Sequence, residues 1–300
     1  FSWPRASASS LWEVAATSPH CAMEALLTRL CPAGGTDLED CDLWLRPSSG
    51  APIQCHSQLL AARCPLRPQP VDGAIEVAES SQVLLALLRW VYCEGVCCTR
   101  ADDASSRASV RSVVQLAERW GLRDVGSLRH NIALGRRSRR KRGTLAEDLL
   151  RSYEAGELGG SVALRTAGDS EPALRPWPPL LRSLCGYFRM MLSGAWAEST
   201  QETCEVELQW PREDLCRLLR FVHGAGFVRD VGDLQLAVDC AKYFDVPALL
   251  AHVNDWVASH LELTTASALW CFLDKEPALQ QLSCASDSDC ASAEAGAVSV

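Results

Sequence analysis

The sequence predicts a helix-rich α+β fold in which one structural unit occurs twice in tandem. The first observation is a repeat: three blocks recur in the same order, at spacings of 121, 131 and 124 residues. The second is that both copies combine strand-like alternation with helical periodicity. The paired blocks are His56–Cys64 with Trp177–Cys185, Leu87–Val91 with Leu218–Val222, and Leu116–Leu122 with Cys240–Val246. Two related α+β domains are therefore expected.

The first copy begins with a predicted β-hairpin. Residues 42–46 and 53–56 flank a turn at 47–52 that is rich in Pro, Ser and Gly, residues that favour tight turns. A helical segment, a third strand and several helices are predicted to follow. The expected core positions of this copy are Leu59, Leu60, Leu88 and Val91.

In the second copy, a strand is indicated by alternation. Val206, Leu208 and Trp210 alternate with polar residues, which is typical of a half-buried strand. Pro211 is predicted to occupy the first position of the next helix. The helical positions expected after it are the stripe Leu215, Leu218, Leu219 and Val222, and two further helices at 234–244 and 247–260.

Composition narrows the class of protein. The chain has 300 residues, of which 48% are hydrophobic, enough for about two domains with proper cores. It contains no uninterrupted apolar stretch of about 18 residues, so no membrane insertion is expected. The net charge of −8 argues against direct binding to nucleic acid or to a membrane surface.

The fifteen cysteines are odd in number and scattered through apolar patterns. The first residues also lack the basic start and apolar core of a secretory signal. Reduced thiols that pack as small hydrophobes are the favoured interpretation. This predicts an intracellular protein, resident in the cytoplasm, with residence in the nucleus as well left open.

Several of these runs resemble the BTB (POZ) domain. They are His56–Pro65 and Leu87–Tyr92 in the first copy and Tyr187–Ser199 in the second. The resemblance implies two BTB domains in tandem, each with a short mixed sheet flanked by a helical cluster. The expected boundaries are a loosely ordered segment with a short helix at 1–36, a first domain at 37–134, a basic linker at 135–144, a second domain at 145–262, the start of a BACK-like helical segment at 263–282 and a disordered tail at 283–300.

The two copies depart from the family pattern in different ways. After Cys64, the first copy has three prolines in six residues, which cannot continue a helix. We therefore expect this copy to be degenerate, with one helix and the following loop lost. In the second copy, Trp177 stands where the family usually has His.

The triplet Trp196-Ala197-Glu198 is the strongest candidate for a functional element. In BTB adaptors, a hydrophobic-x-acidic triplet at this place contacts the cullin-3 scaffold of a ubiquitin ligase, so the resemblance implies docking by the second copy. A large aromatic beside a carboxylate could supply an anchor and an orienting charge. The alternative is that Trp196 packs onto its own domain.

A dense basic run lies between the copies. Its charge density predicts a solvated linker. Its functional interpretation is a nuclear-import signal or a contact with an anionic partner, with Ser138 as a kinase substrate; the alternative is a simple hinge. The charged residues are Arg136, Arg137, Arg139, Arg140, Lys141 and Arg142.

No catalytic, cofactor or metal motif is recognisable in the sequence. Phosphate-loop, dinucleotide and nucleophile-elbow patterns are missing, His252 and His260 are too far apart for a helical metal site, and the cysteines at 93, 97 and 98 have no partner pair. We expect a protein-binding adaptor that pairs its BTB copies within one chain or forms a homodimer. The alternative is a scaffold without ligase function, acting in membrane traffic or transcription.

Overall fold

The computed structural model describes residues 31, 41–93, 104–134, 145–168, 170–193 and 204–260. Within these residues the chain forms five strands and ten helices, which confirms the predicted helix-rich α+β class. We call residues 41–134 the first half and residues 145–260 the second half.

The first half has a mixed sheet flanked by helices. Its strands are β1 Leu43–Ser49, β2 Ile53–Cys55 and β3 Ala74–Ser80, and its helices are α1 Ser57–Arg63, α2 Ser81–Cys93, α3 Ala104–Arg119 and α4 Val125–Leu134. Strand β1 is central, antiparallel to β2 and parallel to β3. The predicted hairpin is therefore present, and the structure adds the parallel pairing of the third strand.

Alternation decides which side of this sheet is buried. Leu43 and Leu45 of β1 are buried, whereas Trp44 and Arg46 are exposed, because successive side chains of a strand point to opposite faces. The turn after β1 contains Gly50 at φ +96°, where a Cβ atom would also collide with a neighbouring serine side chain. Only glycine fits this turn.

The second half repeats the order strand, helix, strand and then three helices, with one helix in front and one further helix before the second strand. Its strands are β4 Val162–Thr166 and β5 Cys204–Leu208, and its helices are α5 Leu145–Glu154, α6 Pro178–Leu184, α7 Gly186–Met191, α8 Arg212–Val222, α9 Asp233–Tyr243 and α10 Pro247–Ser259. Strands β4 and β5 are parallel, like β1 and β3. The stripe predicted for α8 is buried at all four positions.

Three local predictions for the second half need adjustment. The repeat predicts a hairpin in this half as well, and the described residues show one antiparallel bridge there, between Leu164 and Leu174. The alternating strand ends at Leu208, so Trp210 lies in the bend after β5. Pro211 stands at the N-cap position, one residue before α8, instead of occupying its first position.

Corresponding residues of the two halves make corresponding hydrogen bonds. The backbone N–H of His56, which precedes α1, donates to the Tyr92 hydroxyl at 2.9 Å. The backbone N–H of Trp177, which precedes α6, donates to Nε2 of His223 at 3.3 Å. His56 and Trp177 are 121 residues apart, and Tyr92 and His223 are 131 apart, as in the repeated blocks. The repeat therefore extends to single contacts.

Helix α7, which follows α6, has no counterpart between α1 and β3. Helix α6 is followed at once by α7, whereas residues 64–73, all of them described, form turns between α1 and β3. The prolines after Cys64 therefore end the helical structure, as predicted. The two halves are not equivalent surfaces.

The hydrophobic core is continuous through the described residues of both halves. Helix α1 of the first half packs against α5 of the second. This contact places the two helical clusters side by side and joins their interiors.

Candidate functional site

The residues singled out in the sequence lie mostly outside the described part of the chain. Trp196, Ala197 and Glu198 fall between α7 and β5, and the basic run at 136–142, including Ser138, falls between α4 and α5. The described elements on either side of the triplet are helix α7, which ends at Met191, and strand β5, which begins at Cys204.

Helix α7 is held against the end of α9 by its backbone. The N–H of Gly186 donates to the carbonyl of Asp245 at 2.8 Å, and the N–H of Tyr187 donates to the carbonyl of Phe244 at 3.2 Å. Gly186 has no room for a Cβ atom because the Asp245 carboxyl group occupies that space. The sequence thus sets both the position of α7 and its closeness to α9.

This arrangement creates a surface that we call the aromatic face, formed by Tyr187, Met190, Trp210 and Tyr243. The ring of Tyr243 lies 4.7 Å from that of Trp210 and 5.8 Å from that of Tyr187, measured between centroids. Met190 is one helical turn after Tyr187. Met190 and Tyr243 are both 45% exposed, whereas Tyr187 and Trp210 are half-buried against the core.

The corresponding place in the first half is ionic. Glu79 lies 131 positions before Trp210, and Arg119 lies 124 positions before Tyr243. Arg119 and Glu79 form a salt bridge, so the ring contact of the second half is an ion pair in the first. An aromatic pair offers a partner apolar area, whereas a solvated ion pair must be desolvated first.

The third member of the aromatic face also has a counterpart. Leu66 lies 121 positions before Tyr187, and its N–H donates to the carbonyl of Trp120 at 3.0 Å, as that of Tyr187 does to Phe244. Leu66 is 70% exposed and begins no helix. The first half therefore keeps the backbone hydrogen bond but has no helix that corresponds to α7 at this place.

The electrostatics of the aromatic face suit a neutral binding surface. Partial burial, followed by the effect of Tyr243, raises the pKa of the Tyr187 hydroxyl above its ordinary value of 10.0. The phenol is therefore uncharged at neutral pH and can donate a hydrogen bond.

Three of the described cysteines, Cys55, Cys64 and Cys185, are buried as neutral thiols. Burial raises the pKa of the Cys64 thiol to about 12, and burial likewise raises the pKa of Cys55 and Cys185, so these thiols stay protonated at neutral pH. Within the described ranges, no three His, Cys, Asp or Glu side chains cluster as a metal site would require. Cys97 and Cys98 lie outside those ranges.

The two histidines considered as metal ligands have structural neighbours instead. Nε2 of His252 accepts hydrogen bonds from the backbone N–H groups of Phe227 at 3.2 Å and Val228 at 3.4 Å. His260 stacks on Trp256, with the rings 4.3 Å apart.

Among the described helices, none is both long enough and apolar enough to cross a membrane.

Comparison with known proteins adds no relative: no protein-family model and no curated protein matches the chain. The candidate site therefore rests on the contacts of the chain itself.

The aromatic face was not predicted from the sequence, although a signal for it exists. Tyr243 already aligns with Arg119 inside the third pair of blocks, and extending the second pair by eight residues toward the N-terminus aligns Trp210 with Glu79. An aromatic residue that replaces a charged one at two corresponding positions indicates a surface that differs between the copies. Only the fold shows that the two positions touch.

Proposed function

We propose that the chain is a tandem BTB-type adaptor without catalytic activity, which docks the cullin-3 scaffold of a ubiquitin ligase through its second half. The element order and the repeated hydrogen bonds support two related interaction domains. The BTB resemblance of His56–Pro65 and Tyr187–Ser199 supplies the family and the partner. The thiols of Cys55, Cys64 and Cys185, which are buried among apolar residues, support residence inside the cell, in the cytoplasm or, through the basic run, the nucleus.

The aromatic face is the observation that carries this proposal. It includes Met190, in the last turn of α7, and the triplet Trp196-Ala197-Glu198 follows α7 in the sequence. Tyr, Trp and Met are enriched at the centres of protein interfaces. In the complex, the side chains of Tyr243 and Met190 would contact the partner together with the triplet. The charge of Glu198 would set the orientation of the partner.

The asymmetry between the halves supports a specific role for this surface. A face needed only for folding could be ionic, as the Glu79–Arg119 pair of the first half demonstrates. The second half instead brings two aromatic rings into contact there and leaves Met190 and Tyr243 each 45% exposed, which offers a partner apolar contact area.

The test is calorimetric titration of the purified chain with the amino-terminal domain of cullin-3. We expect micromolar or tighter binding, at least tenfold weaker for Tyr243→Ala and for the double variant Trp196→Ala/Glu198→Ala. Leu66→Ala is the control, because Leu66 is the exposed residue of the first half that corresponds to Tyr187. This variant should bind like the unaltered chain. No binding by a folded chain would reject the ligase role and leave a scaffold for membrane traffic or transcription as the alternative.

A further inference from the structure

The two halves meet around a buried salt bridge. Nη1 of Arg63, at the end of α1, donates to Oδ2 of Asp148 on α5 at 2.8 Å, and the two side chains are 0% and 1% exposed. The other carboxylate oxygen of Asp148 accepts from Arg123 of the first half at 3.2 Å and from Arg151 at 2.8 Å. One carboxylate of the second half is therefore held by two arginines of the first.

Beside this ion pair, corresponding residues touch each other. The ring of His56 lies edge-on to that of Trp177, with centroids 5.4 Å apart. In a two-fold pair, a residue meets its own counterpart beside the axis. The Gln58 amide also donates to the carbonyl of Gly159. Two paired copies of one domain would make such contacts between chains. In this protein the contacts form between the two halves of one chain.

The interface is not self-complementary, however. Arg63 is the last residue of α1, and its counterpart at the end of α6, 121 positions later, is Leu184. If two second halves paired in the same way, each Asp148 would face Leu184 and lose both arginines of the first half. Arg151, which belongs to the same half, would still contact Asp148, but the loss of two cationic partners from a buried carboxylate disfavours such a complex.

We propose that Asp148 makes each second half select a first half as its partner, so that the halves pair within the chain and the protein is a monomer. A consequence that rests on the proposed docking function is the number of scaffolds bound. Helix α7 has no counterpart in the first half, so the paired chain presents one aromatic face and binds one scaffold molecule.

The pairing can be measured without any scaffold. Residues 136–142 of the full chain are replaced by the recognition sequence of a specific protease, and light scattering after size exclusion is recorded before and after cleavage. We expect a monomer before cleavage and a one-to-one complex of the halves afterwards, at low micromolar concentration. A dimer of the intact chain, or free halves after cleavage, would overturn the proposal.

The role of Asp148 needs its own variant. Asp148→Asn keeps the shape of the side chain and removes its charge, so we expect the cleaved halves to dissociate at least tenfold more readily, and some second halves to self-associate. Glu205→Gln, which alters an exposed salt bridge to Arg165, is the matched control. Circular dichroism confirms that each variant is folded. Unchanged half-to-half affinity in Asp148→Asn would show that Asp148 does not select the partner.

The number of binding sites per chain distinguishes the pairing proposal from the docking proposal. Titration with the cullin-3 domain should give one site per intact chain. Two sites per chain would reject the single face, whereas no binding would reject the docking function and leave the measured pairing of the halves untouched.

Discussion

At the end of α8, two hydrogen bonds determine where the imidazole of His223 carries its proton. Nε2 accepts from the backbone N–H of Trp177, so the proton lies on Nδ1, which donates to the carbonyl of Leu219 at 2.7 Å. The ring also stacks on Tyr153 at 4.0 Å. Burial lowers the pKa of His223 from 6.5 to about 4, because a charged ring would lose solvation and repel the Trp177 N–H.

This lowered pKa predicts a loss of stability in mild acid. The unfolded state takes up the proton first, so the contribution of His223 is complete above pH 6.5 and decreases as the pH falls toward about 4. At pH 5 we expect a loss of about 2 kcal/mol relative to pH 7. The free energy of unfolding, measured by urea titration at several pH values, tests this.

The matched comparison uses two histidine variants. His223→Gln should flatten the pH dependence between pH 7 and 5, whatever its absolute stability. His260→Gln, at an exposed position, should keep the slope of the unaltered chain. An equal slope in all three proteins would assign the acid sensitivity to the carboxylates.

At the scale of the element, local periodicity was sufficient for most strands and helices. The alternation of β5 and the stripe of α8 are short-range patterns, and both are found in the structure. The single bridge at Leu174 and the contact between Trp210 and Tyr243 are long-range, and neither leaves a local signal in the sequence. The repeat indicates part of these long-range contacts, because it shows which residues of the two halves correspond.

A reciprocal exchange of the aromatic and ionic pairs tests whether α7 and its neighbours form a docking face. Trp210→Glu with Tyr243→Arg gives the second half the pair that the first half already accommodates, so we expect the fold to persist with about 1–2 kcal/mol less stability. Scaffold binding should be lost, because the apolar anchors become a solvated ion pair. Thermal unfolding and calorimetric titration measure the two effects.

The opposite exchange is the control. Glu79→Trp with Arg119→Tyr places the aromatic pair in the first half, where no helix lies between α1 and β3. We expect no second binding site there, since the surface equivalent to α7 is missing. Retained binding in the Trp210→Glu/Tyr243→Arg variant would mean that the aromatic face is a feature of packing alone.

At the scale of the whole molecule, the continuous core and the buried ion pair make the halves dependent on each other. Leucines of α1 and α5 belong to one hydrophobic cluster, and Arg63 and Asp148 link those helices inside it. Removing one member of a buried pair leaves the other charge uncompensated. The chain should therefore unfold in one transition, with the same midpoint by tryptophan fluorescence and by circular dichroism.

A double-mutant cycle measures how strongly the pair couples the halves. Asp148→Leu alone leaves Arg63 buried without its carboxylate and should destabilise the chain by about 3–5 kcal/mol, with the midpoints of the two probes moving apart as the halves unfold separately. Adding Arg63→Met removes the orphaned charge, so the double variant should recover about 1–3 kcal/mol and a single transition. If the two changes were simply additive, the ion pair would not couple the halves, and the shared apolar core would account for their cooperation by itself.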